Sequence, residues 1–196
     1  MNINDIRKQL YWEINQTDWH FLKYHFSSYH PGLEENPIAQ SIVECCYSCE
    51  KHMNGYANNF IKKLCSFSNK EMYIHHYDQI LQHLAELLVV AHLSIGLDET
   101  WIFTEEPTIG KSKKNPEIQI RKDDFRILVE VKSPEFTEYQ KNRLNAGVQI
   151  AGRYPYGASV ASALSSEPGN YVLPRDNPVK DFLISADEKF SAFKTI

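Results

Sequence analysis

The chain has 196 residues, 42% of them apolar, 23% charged and 12% aromatic, and its formal net charge is −4. That length holds one domain, or a compact domain with an extension, and the balance excludes a disordered or fibrous chain. The longest apolar runs, such as Leu87-Leu88-Val89-Val90-Ala91, are too short to span a bilayer, and no basic segment followed by an apolar stretch opens the chain, so a soluble cytoplasmic protein without membrane association is expected.

Charge is unevenly spread. Residues 71–110 carry seven acidic groups and no Lys or Arg, whereas residues 111–153 carry ten basic and six acidic groups. A basic segment directly after an acidic one can focus a polyanion locally despite the negative total. Ordinary solvated faces would produce the same count, and charge alone does not separate the two.

Ile3, Ile6, Leu10 and Ile14 recur at helical spacing and predict a first helix. His30-Pro31-Gly32 marks a turn. Asn36-Pro37 reads as the start of a second helix running to about residue 51, with Asn as N-cap and Pro in the first turn. Asn54-Gly55 separates it from a third over residues 56–65. Residues 1–70 are therefore expected to be a helical N-terminal region, and residues 71–196 a second domain. The series Cys46-x-x-Cys49-x-x-His52 has the residue types of a zinc site. On a helix, however, Cys45 and Cys49 share a face with Ile38 and Ile42, and no second pair completes a tetrahedral set. These thiols are read as core.

A longer helix is predicted over about residues 77–94, ended by Gly96, with a buried face of Leu81, Leu84, Leu87, Leu88 and Ala91. Glu86 interrupts that apolar stretch on a flank, with His83 one turn before it. Then the period changes. Residues 100–104 are β-branched and aromatic, residues 117–121 alternate strictly, Asp123-Asp124 supplies a turn, and residues 126–132 form a further strand ended by Ser133-Pro134. A helix over about 137–152, a short strand at 170–173 and a final helix over 178–193 complete the order. This is an α/β (α+β) layer on a small mixed central sheet. The last helix has no strand after it, which suggests that the chain is part of a larger protein.

The two central strands carry the chemistry. Side chains alternate across a strand, so Glu130 and Lys132 point the same way while Ile127, Val129 and Val131 can face a core. On the preceding strand Glu117 and Gln119 share a face, and the turn makes the two strands antiparallel neighbours. Two carboxylates and a lysine therefore converge. Carboxylate oxygens can hold Mg²⁺, which eases deprotonation of bound water and stabilises charge on a reacting phosphate. The lysine can orient the nucleophile and offset phosphate charge. The alternative is an amphipathic edge strand whose charged residues merely face solvent.

The stretch Pro116-Glu117, twelve residues, then Glu130-Val131-Lys132 resembles the PD-(D/E)xK nuclease superfamily, with Glu in place of the usual Asp in the first half. The resemblance covers about residues 77–175. It implies a restriction-endonuclease-like αβββαβ core carrying an N-terminal helical extension, and Mg²⁺ or Mn²⁺ held by Glu117, Glu130 and the carbonyl of Val131. Lys132 would be the catalytic lysine and Glu86 the upstream helical carboxylate of one branch. Many relatives add a glutamine on the next helix, for which Gln149 is the candidate, although Tyr154 lies one place beyond the QxxxY spacing.

Around this motif, Lys111, Lys113, Lys114, Arg121 and Lys141 could grip a phosphate backbone without reading sequence, or serve solubility alone. The resulting expectation is a metal-dependent endonuclease acting on DNA, with a defence role against foreign DNA by family analogy. It could work as a homodimer or within a larger complex. The alternatives are a catalytically inactive, nuclease-like module for nucleic-acid binding or assembly, and a helical interaction protein whose sheet is only scaffold.

Overall fold

Asn2 opens the first helix. Its side-chain oxygen accepts the backbone N–H groups of Asn4 and Asp5, each at 2.9 Å, which satisfies two of the donors a helix start leaves unpaired. The computed structural model describes residues 1–27, 35–68, 74–107, 115–135, 137–150, 155–173 and 179–191. Within them run α1 (Ile3–Gln16), α2 (Lys23–Phe26), α3 (Pro37–His52), α4 (Tyr56–Cys65) and α5 (Ile74–Gly96), then β1 (Ile102–Glu105), β2 (Ile118–Lys122) and β3 (Phe125–Val129). There follow α6 (Thr137–Asn145), β4 (Val148–Gln149), α7 (Gly157–Leu164), β5 (Tyr171–Val172) and α8 (Val179–Ser191).

The chain divides into two compact units, one of Met1–Ser133 with Leu183–Ile196, the other of Pro134–Phe182. The division does not fall near residue 70. In the first unit the N-terminal helices share one hydrophobic core with α5 and the sheet: Ile6, Leu10, Ile14, Phe26, Val43 and Leu64 are fully buried beside Ile80, Leu87, Ile118 and Ile120. Asn36 caps α3 by accepting the N–H of Ile38, with Pro37 at the first turn. Gly55, at φ +88°, enters α4 from the left-handed region, where a side chain would be strained.

Two helix faces are rotated from their expected positions. On α3 the buried side holds Ala39, Ile42, Val43, Cys46 and Cys49, while Cys45 is half-buried and Ile38 is exposed. On α5 it holds Ile80, His83, Leu87, Val90, Ala91 and Ser94, and Leu88 faces outward. Ile38, Cys45, Leu84 and Leu88 instead line an open apolar groove between the two helices. Residues His76–Gly96 of α5 are long and apolar enough to cross a membrane by length and composition. Here that helix packs its inner face into the core.

The sheet has the order β1-β2-β3 with both pairings antiparallel. Asp123, at φ 50°, makes the turn that pairs Lys122 with Phe125, a conformation short polar side chains tolerate. Of the face expected to be core, Ile127 is exposed at the hairpin end, and only Val129 and Val131 reach the interior.

The mixed central sheet expected from the sequence is not found among the described residues. The parallel pairing occurs in the second unit, where β4 pairs with β5 as a separate two-stranded ladder. The long helix expected over 137–152 stops at Asn145, because Gly147 turns in against Asn170: its N–H donates to Asn170 Oδ1 at 2.7 Å. A Cβ on Gly147 would sit 2.9 Å from that side chain. The sequence pattern gives no sign of helix α7.

Candidate functional site

Register brings the two motif carboxylates together. Ile118 pairs with Val129, so one further place along the antiparallel strands sets Glu117 opposite Glu130. The backbone N–H of Glu106 donates to the carbonyl of Glu117 at 2.8 Å, which fastens the start of β2 beside the end of β1. The Glu130 carboxylate is 1% exposed. Its Oε1 lies 2.6 Å from the ammonium of Lys132 and 2.6 Å from that of Lys189, which reaches in from α8. Its Oε2 is buried and has no hydrogen-bond partner. Lys189 Nζ is also 3.6 Å from Glu117 Oε1. A carboxylate taken this far out of water costs several kcal/mol unless opposite charge compensates it, and two ammonium groups do so here.

Glu86 forms a second arm, on α5. Its Oε2 is 3.4 Å from His83 Nδ1 and 3.7 Å from Lys63 Nζ, and its Oε1 accepts from Gln82 Nε2 at 3.1 Å. His83 is held in turn by stacking on Phe60, ring centroids 4.3 Å apart, with its Nε2 3.4 Å from the Phe60 carbonyl. A cavity of about 130 Å³ adjoins this arm, lined in part by Asn59, Lys63, Glu86, Glu105 and Glu117.

The electrostatics tie the arms together. Burial pushes the Glu117 carboxyl above the ordinary glutamate value, and the negative charges of Glu86 and then Glu130 add to it, outweighing Lys189 and Lys63. Burial also raises the Glu105 carboxyl, with Glu106 adding repulsion. For Glu86 burial acts upward, but the His83 hydrogen bond, Lys63 and Gln82 overcome it and hold the group below its ordinary value. Burial acts downward on Lys189, and the Glu130 and Glu117 carboxylates reverse it, leaving the ammonium more basic than usual.

The first unit thus contains Glu86, Glu117, Glu130, Val131 and Lys132 of the residues singled out from sequence, with Val131 buried directly between its two charged neighbours. Gln149 belongs to β4 of the second unit and is not on a helix. Its amide is engaged there by Arg143, accepting from Nε at 2.9 Å and donating to the main-chain oxygen at 2.7 Å. Lys141 is exposed on α6 of that unit, and Arg121 is exposed on β2 opposite Arg126. Lys111, Lys113, Lys114 and Tyr154 lie outside the described residues.

Cys46 and Cys49 are fully buried, and burial pushes the Cys49 thiol up to about 12, which leaves little thiolate for a metal. The His52 ring nitrogens face the carbonyls of Ser94 and Trp101.

Lys189 and Lys63 are the site residues that sequence reasoning did not single out. Lys189 stands 59 places after Glu130, and nothing local marks it apart from other helix-surface lysines. Chemically, the cluster offers three carboxylates in one field, one of them with a buried, unengaged oxygen, balanced by lysines. Among the described residues no set of three or more His, Cys, Asp or Glu stands in metal-holding geometry. No family model, curated protein or solved structure matches this chain.

Proposed function

We propose that this protein is a cytoplasmic, metal-dependent nuclease of the PD-(D/E)xK type that hydrolyses phosphodiester bonds in DNA, with a role in defence against foreign DNA. The observation that carries the reading is the Glu117–Glu130–Lys132 cluster, with Glu86 in electrostatic reach of Glu117. The antiparallel β1-β2-β3 sheet that follows α5 supports the αβββ part of that core, whereas β4 pairs with β5 in a separate ladder.

The site offers carboxylate oxygens, the donor type that Mg²⁺ or Mn²⁺ takes. These cations take hard oxygen ligands, and Glu130 Oε2 is a buried carboxylate oxygen without a partner. Glu117, Glu130, the carbonyl of Val131 and Glu86 would hold the ion, which when bound makes water easier to deprotonate and offsets phosphate charge. Lys132 keeps its ammonium beside Glu130, where it neutralises a buried charge and can hold a nucleophilic water or a phosphate oxygen. Exposed Arg121 and Lys141, with Lys111, Lys113 and Lys114, would contribute sequence-independent attraction.

One observation favours a second reading, the inactive nuclease-like module that binds nucleic acid or assembles with partners. Lys189 sits on both motif carboxylates and neutralises them without a metal.

Cleavage separates the two. The whole chain, assayed with Mg²⁺ or Mn²⁺ on duplex DNA, single-stranded DNA and RNA, is expected to cut DNA, to stop on chelation, and to lose activity in Glu130→Ala. Thermal melts must show that variant folded, since β2 and β3 also carry core side chains. Folded Glu130→Ala protein cutting at the wild-type rate would sink the nuclease assignment, and a wild-type chain that binds but never cuts would establish the module.

A further inference from the structure

The charge balance at the centre of the cluster is unusual for a site that must take up a divalent cation. Glu117 and Glu130 contribute two negative charges, and Lys132 with Lys189 contribute two positive ones, so the quartet is neutral by itself. Lys189 occupies the position shared by both carboxylates, 2.6 Å from Glu130 Oε1 and 3.6 Å from Glu117 Oε1. Lys132 touches Glu130 only, among the ion pairs described. The remaining oxygen, Glu130 Oε2, is buried without a partner, so the lysines do not exhaust the donor capacity of the site. An ammonium is a compact point charge on a flexible four-carbon stem and can leave such a position by side-chain rotation. Lys189 is itself one-fifth exposed, so its way out is open to water.

We propose that Lys189 is a built-in counter-cation that holds the divalent ion's place between Glu117 and Glu130, so that metal binding requires its withdrawal. The inference rests on the metal-site reading above and concerns its regulation: the apo protein is stabilised by Lys189, and divalent-ion affinity is set by competition with it. Removing the competing charge leaves the carboxylates net negative. A neighbouring unit charge changes a carboxylate's proton affinity by about one to three powers of ten, and the same field acts on a divalent cation.

The test is Mn²⁺ binding to the whole chain without nucleic acid, followed by electron paramagnetic resonance or calorimetry, so that no activity is needed. Lys189→Gln should bind Mn²⁺ roughly tenfold tighter or more than wild type, and Lys189→Arg, which keeps a positive charge, should not. Glu130→Gln should lose the binding in either background. Equal affinity in wild type and Lys189→Gln, with both lost in Glu130→Gln, would overturn the role of Lys189 and leave the metal site standing. No binding by wild type or by folded Lys189→Gln would overturn both.

Because Lys189→Gln removes half the charge compensation of a buried carboxylate, it could unfold. A measurement on wild-type protein keeps the proposal open to refutation. The rate of Lys189 acetylation, read by mass spectrometry, should rise several-fold when saturating Mg²⁺ or Mn²⁺ frees the amine. An unchanged rate in protein shown to have bound metal would refute the competition.

Discussion

The two compact units bury very different amounts of chain. In Met1–Ser133 the helices and sheet enclose a continuous core in which Ile6, Leu10, Ile14, Phe26, Ile61, Leu64, Ile80, Leu87, Ile118 and Ile120 are almost wholly inaccessible. Between Pro134 and Phe182 only Gly157 and Ala161 are buried among the described residues, while Leu144 is 83% exposed and Leu164 66%. Charge follows the same division. Glu50, Asp78 and the Glu130 carboxylate are buried in the first unit. In the second, every charged residue whose burial is described is exposed. A dense core gives a low-dielectric wall against which ionisable groups can be desolvated and paired, and strong electrostatic chemistry needs such a wall. The second unit has polar groups on short elements but no such backing.

The largest test of this contrast sets one lysine from each unit against the other. Lys132 is held at 2.6 Å from a buried carboxylate, whereas Lys141 is exposed on α6. Under the nuclease reading, Lys132→Ala should lower the cleavage rate by about 10²–10⁴-fold while the protein still takes up metal. Lys132→Arg should rescue little, because a planar guanidinium does not replace a compact ammonium. Lys141→Ala should act only on binding, weakening it evenly across sequences and reducing its salt slope by about one. Similar losses of rate at both positions would break the contrast.

Next in size is stability. Leu64 is fully buried in the first unit, and its truncation to Ala should cost about 2–5 kcal/mol, the transfer of the lost carbons plus the cavity left behind. Leu164→Ala, on the exposed side of α7, should change stability by less than about 0.5 kcal/mol. Denaturant melts of the whole chain decide the matter. A cost at Leu164 comparable to that at Leu64 would mean that the second unit has an apolar interior of its own.

The same contrast explains what could be read from sequence. Where a core is dense, local pattern and burial agree: Asn36-Pro37 starts α3, Asn54-Gly55 precedes α4 at Tyr56, and the alternation after Pro116 becomes β2. The juxtaposition of Glu117 and Glu130 with Lys132 is legible because strand periodicity and a two-residue turn determine their spacing. The rotation of α3 and α5 is not, since both helices carry apolar residues around much of their circumference. In the second unit α7 is Gly-Ala-Ser-Val-Ala-Ser-Ala-Leu, small residues without an apolar stripe to mark a helix face. The end of α6 depends on Asn170, which lies 23 residues beyond the Gly147 it binds. Lys189 was hidden for the same reason. A long-range ion pair leaves no periodic trace in the chain.

The smallest effect sharpens the comparison inside the first unit, where Glu86 and Glu117 share one field but are shifted in opposite directions. Glu86 is held below its ordinary value of 4.5, because His83, Lys63 and Gln82 outweigh burial. Its ionised form therefore favours the folded state, and that contribution is present above the ordinary value and lost as pH falls through the lower, folded one. Glu117 is raised above 4.5 by burial, then by Glu86 and Glu130. Its contribution is complete below the ordinary value and lost as pH rises through the folded one, so at neutral pH its charge strains the fold. Glu117→Gln should then melt at a higher temperature than wild type at pH 7, and Glu86→Gln at a lower one. The Glu117 difference should close below about pH 4, where free glutamates are largely protonated, and the Glu86 difference only at lower pH, once its own lowered folded value is passed. Because Glu86 itself raises Glu117, the double variant should fall short of the sum of the singles. These shifts are smaller than the loss expected at Leu64, and differential scanning calorimetry across the acid range resolves them. A Glu117→Gln protein less stable than wild type at pH 7 would mean that Lys189, and not repulsion from the other carboxylates, governs this group. A gain confined to neutral pH would mark Glu117 as a residue retained for what it binds, at some expense to the fold.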